Sequence, residues 1–287
     1  MLRPTRTPPV GAASCPDGRA TCQCSPLGPA CWVNGVRIDP LGRDQTLDRL
    51  DAYLRCPATH VINHIPAHPT VLARRDPVLR DALNAADLNV ADGIGVVWAC
   101  RLQGHGGLRE RVYGPDFLLD VCSWDQGRRL THAFVGATPR ALGLLESNLR
   151  LRFPAIRIVG TYSPPFRSID HRAVAEDIGR LGHADILWVG LGTPKQQVWA
   201  GLARAYAPAR AIVTVGAAFD FIAGTKRQAP PWLRDAGFEW AFRLVTEPRR
   251  LWKRALVDNA EFAWSVAWDL RNPQRGPTSG HGGARLR

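Results

Sequence analysis

The residue best placed for chemistry is an aspartate in a glycine-rich turn, Ala91-Asp92-Gly93-Ile94-Gly95. Leu88-Asn89-Val90 leads into it and the apolar stretch Val96 to Leu102 follows. A carboxylate held where a strand gives way to a helix can take a proton from a hydroxyl nucleophile. The same position suits a helix cap, so spacing alone leaves both uses open. Next comes Arg111-Val112-Tyr113-Gly114-Pro115-Asp116, where Arg111 can clamp a phosphate or pair with Asp116. In Gly190-Leu191-Gly192-Thr193-Pro194-Lys195-Gln196-Gln197 an apolar run ends in glycines, Thr193 can cap, and Pro194 suits the first helical position. Backbone N–H groups at such a helix start favour an anion. The segment therefore reads either as a cradle for nucleotide phosphates or as a well-capped turn. It is not a Walker loop, because the Gly-Lys-Ser/Thr order is absent. A further turn of small residues, Gly216 to Gly224, carries Asp220, a ribose contact or a cap.

No Asp-x-Asp, the carboxylate pair many sugar-nucleotide enzymes use to hold a divalent ion, occurs anywhere in the chain. Donor phosphates are thus expected to be neutralised by Arg, Lys and helix ends, with neither metal nor cofactor. Basic residues are plentiful, at a formal net charge of +12. Charge of this kind seeks phosphates of nucleic acid, anionic lipid or nucleotide. Within Glu247-Pro248-Arg249-Arg250-Leu251-Trp252-Lys253-Arg254-Ala255-Leu256, about 100° of rotation per residue puts Leu251, Trp252, Ala255 and Leu256 on one side. Arg249, Arg250, Lys253 and Arg254 fall on the other. Such a helix suits an anionic membrane surface, or packs on the core as an ordinary surface helix.

These groups need a scaffold. Ala133-Phe134-Val135, Ile156 to Val159, Ile186 to Val189 and Ala211 to Val215 each run into a glycine, with helical stretches between. That alternation predicts an α/β fold, a Rossmann-like, mostly parallel sheet whose ligands lie beyond the carboxyl ends of its strands. Asn34-Gly35 predicts a tight hairpin, and Leu47, Leu50, Tyr53 and Leu54 a helix. The expected organisation is a disordered tail over 1–30, an α/β core over 31–230, a basic amphipathic helical appendage over 231–270 and a second disordered tail over 271–287. The appendage holds Trp232, Trp240, Trp252, Trp264 and Trp268. Cys15, Cys22, Cys24 and Cys31 lack the paired spacing of a zinc site and are read with the tail; the other cysteines read as small buried hydrophobes. Neither a signal-peptide core nor the roughly 20 apolar residues of a membrane span is found, so a cytoplasmic protein is expected.

Taken together, these segments resemble the WecG/TagA/CpsF glycosyltransferases over about Val33 to Phe262. The residues that carry the likeness are Ala73-Arg74-Arg75-Asp76-Pro77, Asp92 to Gly95, Arg111 to Asp116, Gly190 to Gln196, Gly216 to Asp220, Glu239-Trp240 and Glu247 to Leu251. The resemblance implies inverting transfer from a UDP-sugar, typically UDP-N-acetylmannosamine or its uronate, to undecaprenyl-diphospho-N-acetylglucosamine. It matches Asp92 to the base, Arg111 to a donor-site arginine and Gln196 to a donor-contacting glutamine. Arg243, Arg250 and Lys253 match basic positions of an appendage that closes over the site at the membrane. The family usually carries Thr-x-Asn ahead of the Ala-Arg-Arg-Asp segment. Here Asn63-His64-Ile65-Pro66 puts His64 at the Thr and Pro66 at the Asn, a departure that bears on the sugar and leaves the reaction class intact.

The expected catalytic groups are Asp92, Arg243 and Arg250. Expected substrate contacts are Asn63, His64, Arg111, Gly190, Gly192, Gln196 and Asp220, with Arg249, Lys253 and Arg254 facing membrane or phosphate. The expected partners are the UDP-sugar, the lipid-diphosphate acceptor and the anionic inner face of the plasma membrane, with a homo-oligomer left open. Two rival readings are a glucosyltransferase of an exopolysaccharide pathway and a nucleic-acid-binding protein. The second has no recognisable nucleic-acid module to support it.

Overall fold

The computed structural model describes residues 28–271, without the side chains of Asp235, Arg250, Leu251, Arg254 and Ala255. The expectations for residues 1–27 and 272–287, including three of the four N-terminal cysteines, lie outside the described residues. The chain opens with a hairpin of β1 (Cys31–Val33) and β2 (Val36–Ile38), antiparallel with Val33 opposite Val36. Its turn needs positive φ at both central positions, and Asn34 (56°) and Gly35 (76°) supply it. Cys31, read above with the tail, is a strand residue instead, fully buried and facing the core.

Helix α1 (Arg43–Leu54) leads to β3 (His60–Ile65), then α2 (Ala67–Ala73), α3 (Pro77–Asn84) and β4 (Leu88–Ala91). After α4 (Ile94–Leu102) and α5 (Gly114–Trp124) come β5 (Thr131–Gly136), α6 (Pro139–Arg152), β6 (Arg157–Tyr162) and α7 (His171–Ile178). The core closes with β7 (Ile186–Gly190), α8 (Lys195–Ala203), β8 (Ala211–Thr214) and α9 (Ala218–Ile222). Capping residues start several helices: Asp76, Thr138 and Asp170 each accept the backbone N–H three residues on.

The six sheet strands are all parallel, in the order β4-β3-β8-β7-β5-β6. Alternate residues face opposite layers. Ile62, Val90, Phe134, Trp188 and Val213 pack with α1, α5, α6 and α9. Val61, Ala133, Val135, Leu187, Val189 and Ile212 pack with α7 and α8. The edge strand β6 departs from expectation, running through Gly160 rather than ending at it. It is half-buried, so its apolar signal is weak, and Gly160 lies where a side chain would press on Leu181.

One buried hydrogen-bond chain runs across β8, β3 and β4. Thr214 Oγ1 donates to Asn63 Oδ1 (2.9 Å), Asn63 Nδ2 to Asn89 Oδ1 (3.1 Å), and Asn89 Nδ2 to the carbonyls of Leu83 and Arg37.

The final segment comprises α10 (Pro231–Asp235), α11 (Glu239–Thr246), α12 (Pro248–Trp252), a π-helical turn (Lys253–Asp258) and α13 (Asn259–Arg271). The regular amphipathic helix expected over 247–256 is broken. The wider π turn starts at Lys253, so a fixed rotation of about 100° no longer describes the faces. Trp252 and Leu256, expected on the inward side, are exposed along with Arg249 and Lys253. The segment is tied to the core by α13. Phe262 and Val266 join the cluster formed by the hairpin, α2, α3 and α4. His68 pairs with Asp258 (2.6 Å) and Arg75 with Glu261 (2.6 Å). No described helix is long and apolar enough to cross a membrane.

Candidate active site

A cavity of about 980 Å³ opens at the carboxyl edge of the sheet. The chain after each of the six strands contributes to its wall, and α11 and α13 close one side. This is where a parallel α/β sheet presents the loops and helix starts that bind ligands.

Asp92 sits immediately beyond β4. Its backbone N–H donates to Ile65 O (3.0 Å), which fixes the turn against the end of β3. Its carboxylate does not cap α4, whose cap position is Gly93. Instead Oδ1 accepts the Gly114 N–H at the start of α5 (3.1 Å). Burial pushes the Asp92 pKa up to about 6, with Arg111 opposing, Glu239 adding to the rise, and the Gly114 N–H and Arg243 opposing it. A carboxyl group that titrates near neutrality suits proton abstraction.

Arg111 does not pair with Asp116, one of the two uses open from the sequence. Its Nη1 donates to Glu239 Oε2 (3.0 Å) and reaches Asp92 O (3.4 Å), and the guanidinium lies 4.3 Å from the Tyr113 ring centroid. Asp116 is paired with Arg234 instead (3.1 Å). Tyr113 donates its hydroxyl to Glu239 Oε1 (2.9 Å). Burial, then the Glu239 charge, holds that phenol above its ordinary range. Arg243, one turn along α11, lines the same cavity, and its buried Nε has no partner among the described residues.

Gln196, 3% exposed, lies on the wall at the start of α8, with Oε1 unpartnered among the described residues. That helix begins differently from expectation. Pro194 rather than Thr193 takes the cap position, the Thr193–Pro194 peptide is cis, and Thr193 Oγ1 receives Gln197 Nε2 (3.3 Å). Gly190 and Gly192 line the cavity, and Gly190 is fixed by packing, since a Cβ there would lie 2.6 Å from Phe219. Asp220 is on the wall too, held by Lys226 (2.5 Å) and Thr225 (3.0 Å).

His64 lines the cavity as a buried neutral imidazole. Its Nδ1 faces the Thr214 carbonyl (3.0 Å), which can only accept, so Nδ1 carries the proton. Burial lowers its pKa to about 4, with the Thr214 bond opposing. The structure sets Asn63 apart from the expected substrate contacts. Its amide is consumed by Asn89 and Thr214, and it is not on the cavity wall. Arg249 and Lys253 are exposed and away from the wall. The side chains of Arg250 and Arg254 lie outside the described residues.

Sequence reasoning placed no role on Glu239, Tyr113, Lys195 or Phe166, all near or on the wall. Glu239 is separated from Arg111 by |i−j| = 128, so only folding shows the pair. Among the described residues no cluster of three or more His, Cys, Asp or Glu gathers as a metal ion needs. A family model described as glycosyl transferase, WecG/TagA/CpsF family, matches residues 31–276.

Proposed function

The chain belongs to the WecG/TagA/CpsF family of glycosyltransferases, and on that footing we propose that it moves a sugar from a UDP-sugar to an acceptor on a polyprenyl diphosphate. The sugar is N-acetylmannosamine or its uronate, and the product serves cell-surface polysaccharide synthesis. What carries this reading is Asp92, pushed up to about 6 on the wall of a cavity that also holds Arg111 and Arg243.

In the proposed reaction Asp92 takes the proton from the acceptor hydroxyl as that oxygen bonds to the anomeric carbon. The bond from that carbon to the diphosphate oxygen breaks, and its electron pair leaves with UDP. A single displacement inverts the anomeric centre. Charge growing on the leaving group is met by Arg243, Arg111 and Arg250 and by the turn at Gly190 to Gln196, without a metal ion. Gln196, His64 and Asp220 border the donor.

Docking at the inner membrane face is supported by exposed aromatic and basic residues beyond Pro230. Trp232, Trp240, Trp252, Trp264 and Trp268 are all exposed, as are Arg249 and Lys253. Trp and Lys/Arg together suit the headgroup region of an anionic bilayer. A second reading, transfer of glucose by the same mechanism, is favoured by His64 and Pro66 standing on the wall where the family carries Thr and Asn.

The test is incubation with UDP-N-acetylmannosamine, its uronate, UDP-N-acetylglucosamine and UDP-glucose, each with a lipid-diphospho-N-acetylglucosamine analogue. Product is read by mass, with and without excess EDTA. One added sugar, UDP release and indifference to EDTA are expected. No product from any donor overturns the reading, and loss with EDTA that magnesium or manganese restores overturns its metal independence.

A further inference from the structure

Glu239 is a nearly buried carboxylate, 9% exposed, at the first position of α11. It closes a network drawn from separate parts of the chain. Oε2 accepts from Arg111 and Oε1 from Tyr113, while Gln228 Nε2 donates to the same phenol oxygen (3.2 Å). The guanidinium of Arg234 lies 5.3 Å from the Tyr113 ring centroid. Arg111 stands between Glu239 and the Asp92 turn, bonded to both. Arg243 follows Glu239 by one helical turn on the cavity side.

We propose that Glu239 is a positioning residue that sets the proton affinity of the base: by engaging Arg111 it limits how far that cation neutralises Asp92, and by registering α11 it holds Arg243 over the cavity. The kinetic consequence rests on the transfer reading above, whereas the effect on Asp92 does not.

The surroundings of Asp92 leave this carboxylate a distinct role. Arg111 and Arg243 draw the Asp92 pKa down, and Glu239 and Tyr113 are the anionic or ionisable groups that face it. His64 is neutral, and Gly114 contributes an N–H. Elsewhere along the wall charges are matched locally, Asp220 with Lys226 and Arg167 with Asp177, and His68 is hydrogen-bonded to Asp258. Lys195 lies over the Phe166 ring (3.3 Å). Removing the Glu239 charge therefore acts twice in one direction. It deletes a neighbouring negative charge and frees Arg111 to serve Asp92, and both lower the pKa of Asp92.

Glu239→Gln keeps the side-chain shape and an oxygen that accepts from Tyr113. In the free protein, ¹³C-carboxyl-labelled aspartate reports the titration of Asp92, assigned by its loss in Asp92→Asn. The midpoint is expected to fall by about one pH unit in Glu239→Gln. The acid limb of kcat/KM should move down with it, and kcat at pH 7 should drop several-fold because the base is weaker. Glu239→Asp restores the charge, so its limb should stay near that of the unmodified protein even where shortened reach slows turnover. An unmoved Asp92 titration in folded Glu239→Gln overturns the proposal, as does a uniform loss of activity with the acid limb in place. A shifted titration alongside failure to transfer sugar from any donor supports the proposal and overturns the transfer reading instead.

Discussion

The Asp92 carboxylate and the Gly114 backbone N–H are bonded at 3.1 Å, so the proposed base is fastened to the first turn of a neighbouring helix rather than its own. One oxygen is thereby oriented. The second, Oδ2, has no hydrogen-bond donor among the described residues, and in the proposed reaction it meets the acceptor hydroxyl. Fixing the carboxylate this way removes the rotation that would otherwise dilute a productive geometry.

Asp92→Asn should preserve the fold, since an amide oxygen can still accept from Gly114, and slow transfer by roughly 10²–10⁴. For the unmodified protein, kcat/KM should fall as pH drops through about 6. Near-normal turnover by a folded Asp92→Asn protein removes Asp92 from the reaction.

Stability should change in the opposite sense from activity. Asp92 binds its proton more tightly folded (about 6) than unfolded (3.8), so stability declines as pH rises from about 4 to 6 and the cost is complete at pH 7. Asp92→Asn removes that cost, on the order of 1–3 kcal/mol, and should raise Tm at pH 7. His64 tilts the other way. Its folded pKa is lowered from 6.5 to about 4, so stability is lost as pH falls through that range. The two slopes offset in the native protein. Denaturant unfolding of Asp92→Asn between pH 4 and 6 should show the uncompensated His64 slope, and a flat profile there contradicts the burial assigned to both groups.

The fold was largely legible because the apolar runs are short, β-branched or aromatic, and punctuated by turn residues; Ala133–Val135 and Ile186–Val189 became strands β5 and β7. Asp92 and Gln196 stood out beside glycine-rich strand ends and Arg111 through the family resemblance, and all three line the cavity. Glu239 and Tyr113 did not stand out, because their pairing exists only when α11 folds back on the core. Asn63 misled for a complementary reason. A polar residue in an apolar strand looks like a site residue until its partners Asn89 and Thr214 are seen. The start of α8 and the π-helical turn escaped because cap and periodicity rules assume regular backbone, and the cap at Pro194 and the turn at Lys253 depart from it.

Gly190→Ala tests the strand end from which the Gly190–Gln196 turn springs. A Cβ at Gly190 would stand 2.6 Å from Phe219, a fully buried ring in contact with Phe134. Overpacking of this kind costs about 1–3 kcal/mol. Gly192 has open space around it and differs only in its φ of 78°, so Gly192→Ala carries conformational strain of about 1–2 kcal/mol without a clash. Thermal melts should place Gly190→Ala below the unmodified protein, and an unchanged Tm for that variant contradicts the packing.

Arg249→Glu with Lys253→Glu tests membrane docking. Both residues are exposed and lie away from the cavity wall. Each cation near an anionic surface is worth about 1 kcal/mol, so reversing two should weaken binding by a few kcal/mol at low salt and less at high salt. Turnover on a water-soluble short-chain acceptor should suffer less than turnover on a vesicle-bound one. Sedimentation with phosphatidylserine vesicles reads the first effect directly, and unchanged binding places the docking surface elsewhere.

The buried hydrogen-bond chain from Thr214 through Asn63 to Asn89 restricts how this sequence can drift. Every link has one donor and one acceptor, and Asn89, accepting from Asn63, gives both its amide hydrogens to backbone carbonyls. Changing Thr214 to Val, or Asn63 to Ile, strands a buried amide at about 1–3 kcal/mol, although the new side chain fits an apolar sheet. Substituting the whole set at once leaves mainly the Leu83 and Arg37 carbonyls to satisfy. A lineage leaving this arrangement must therefore cross a less stable intermediate. These positions should be exchanged as a block or kept together, and mixed combinations should be rare even where the neighbouring core residues vary freely.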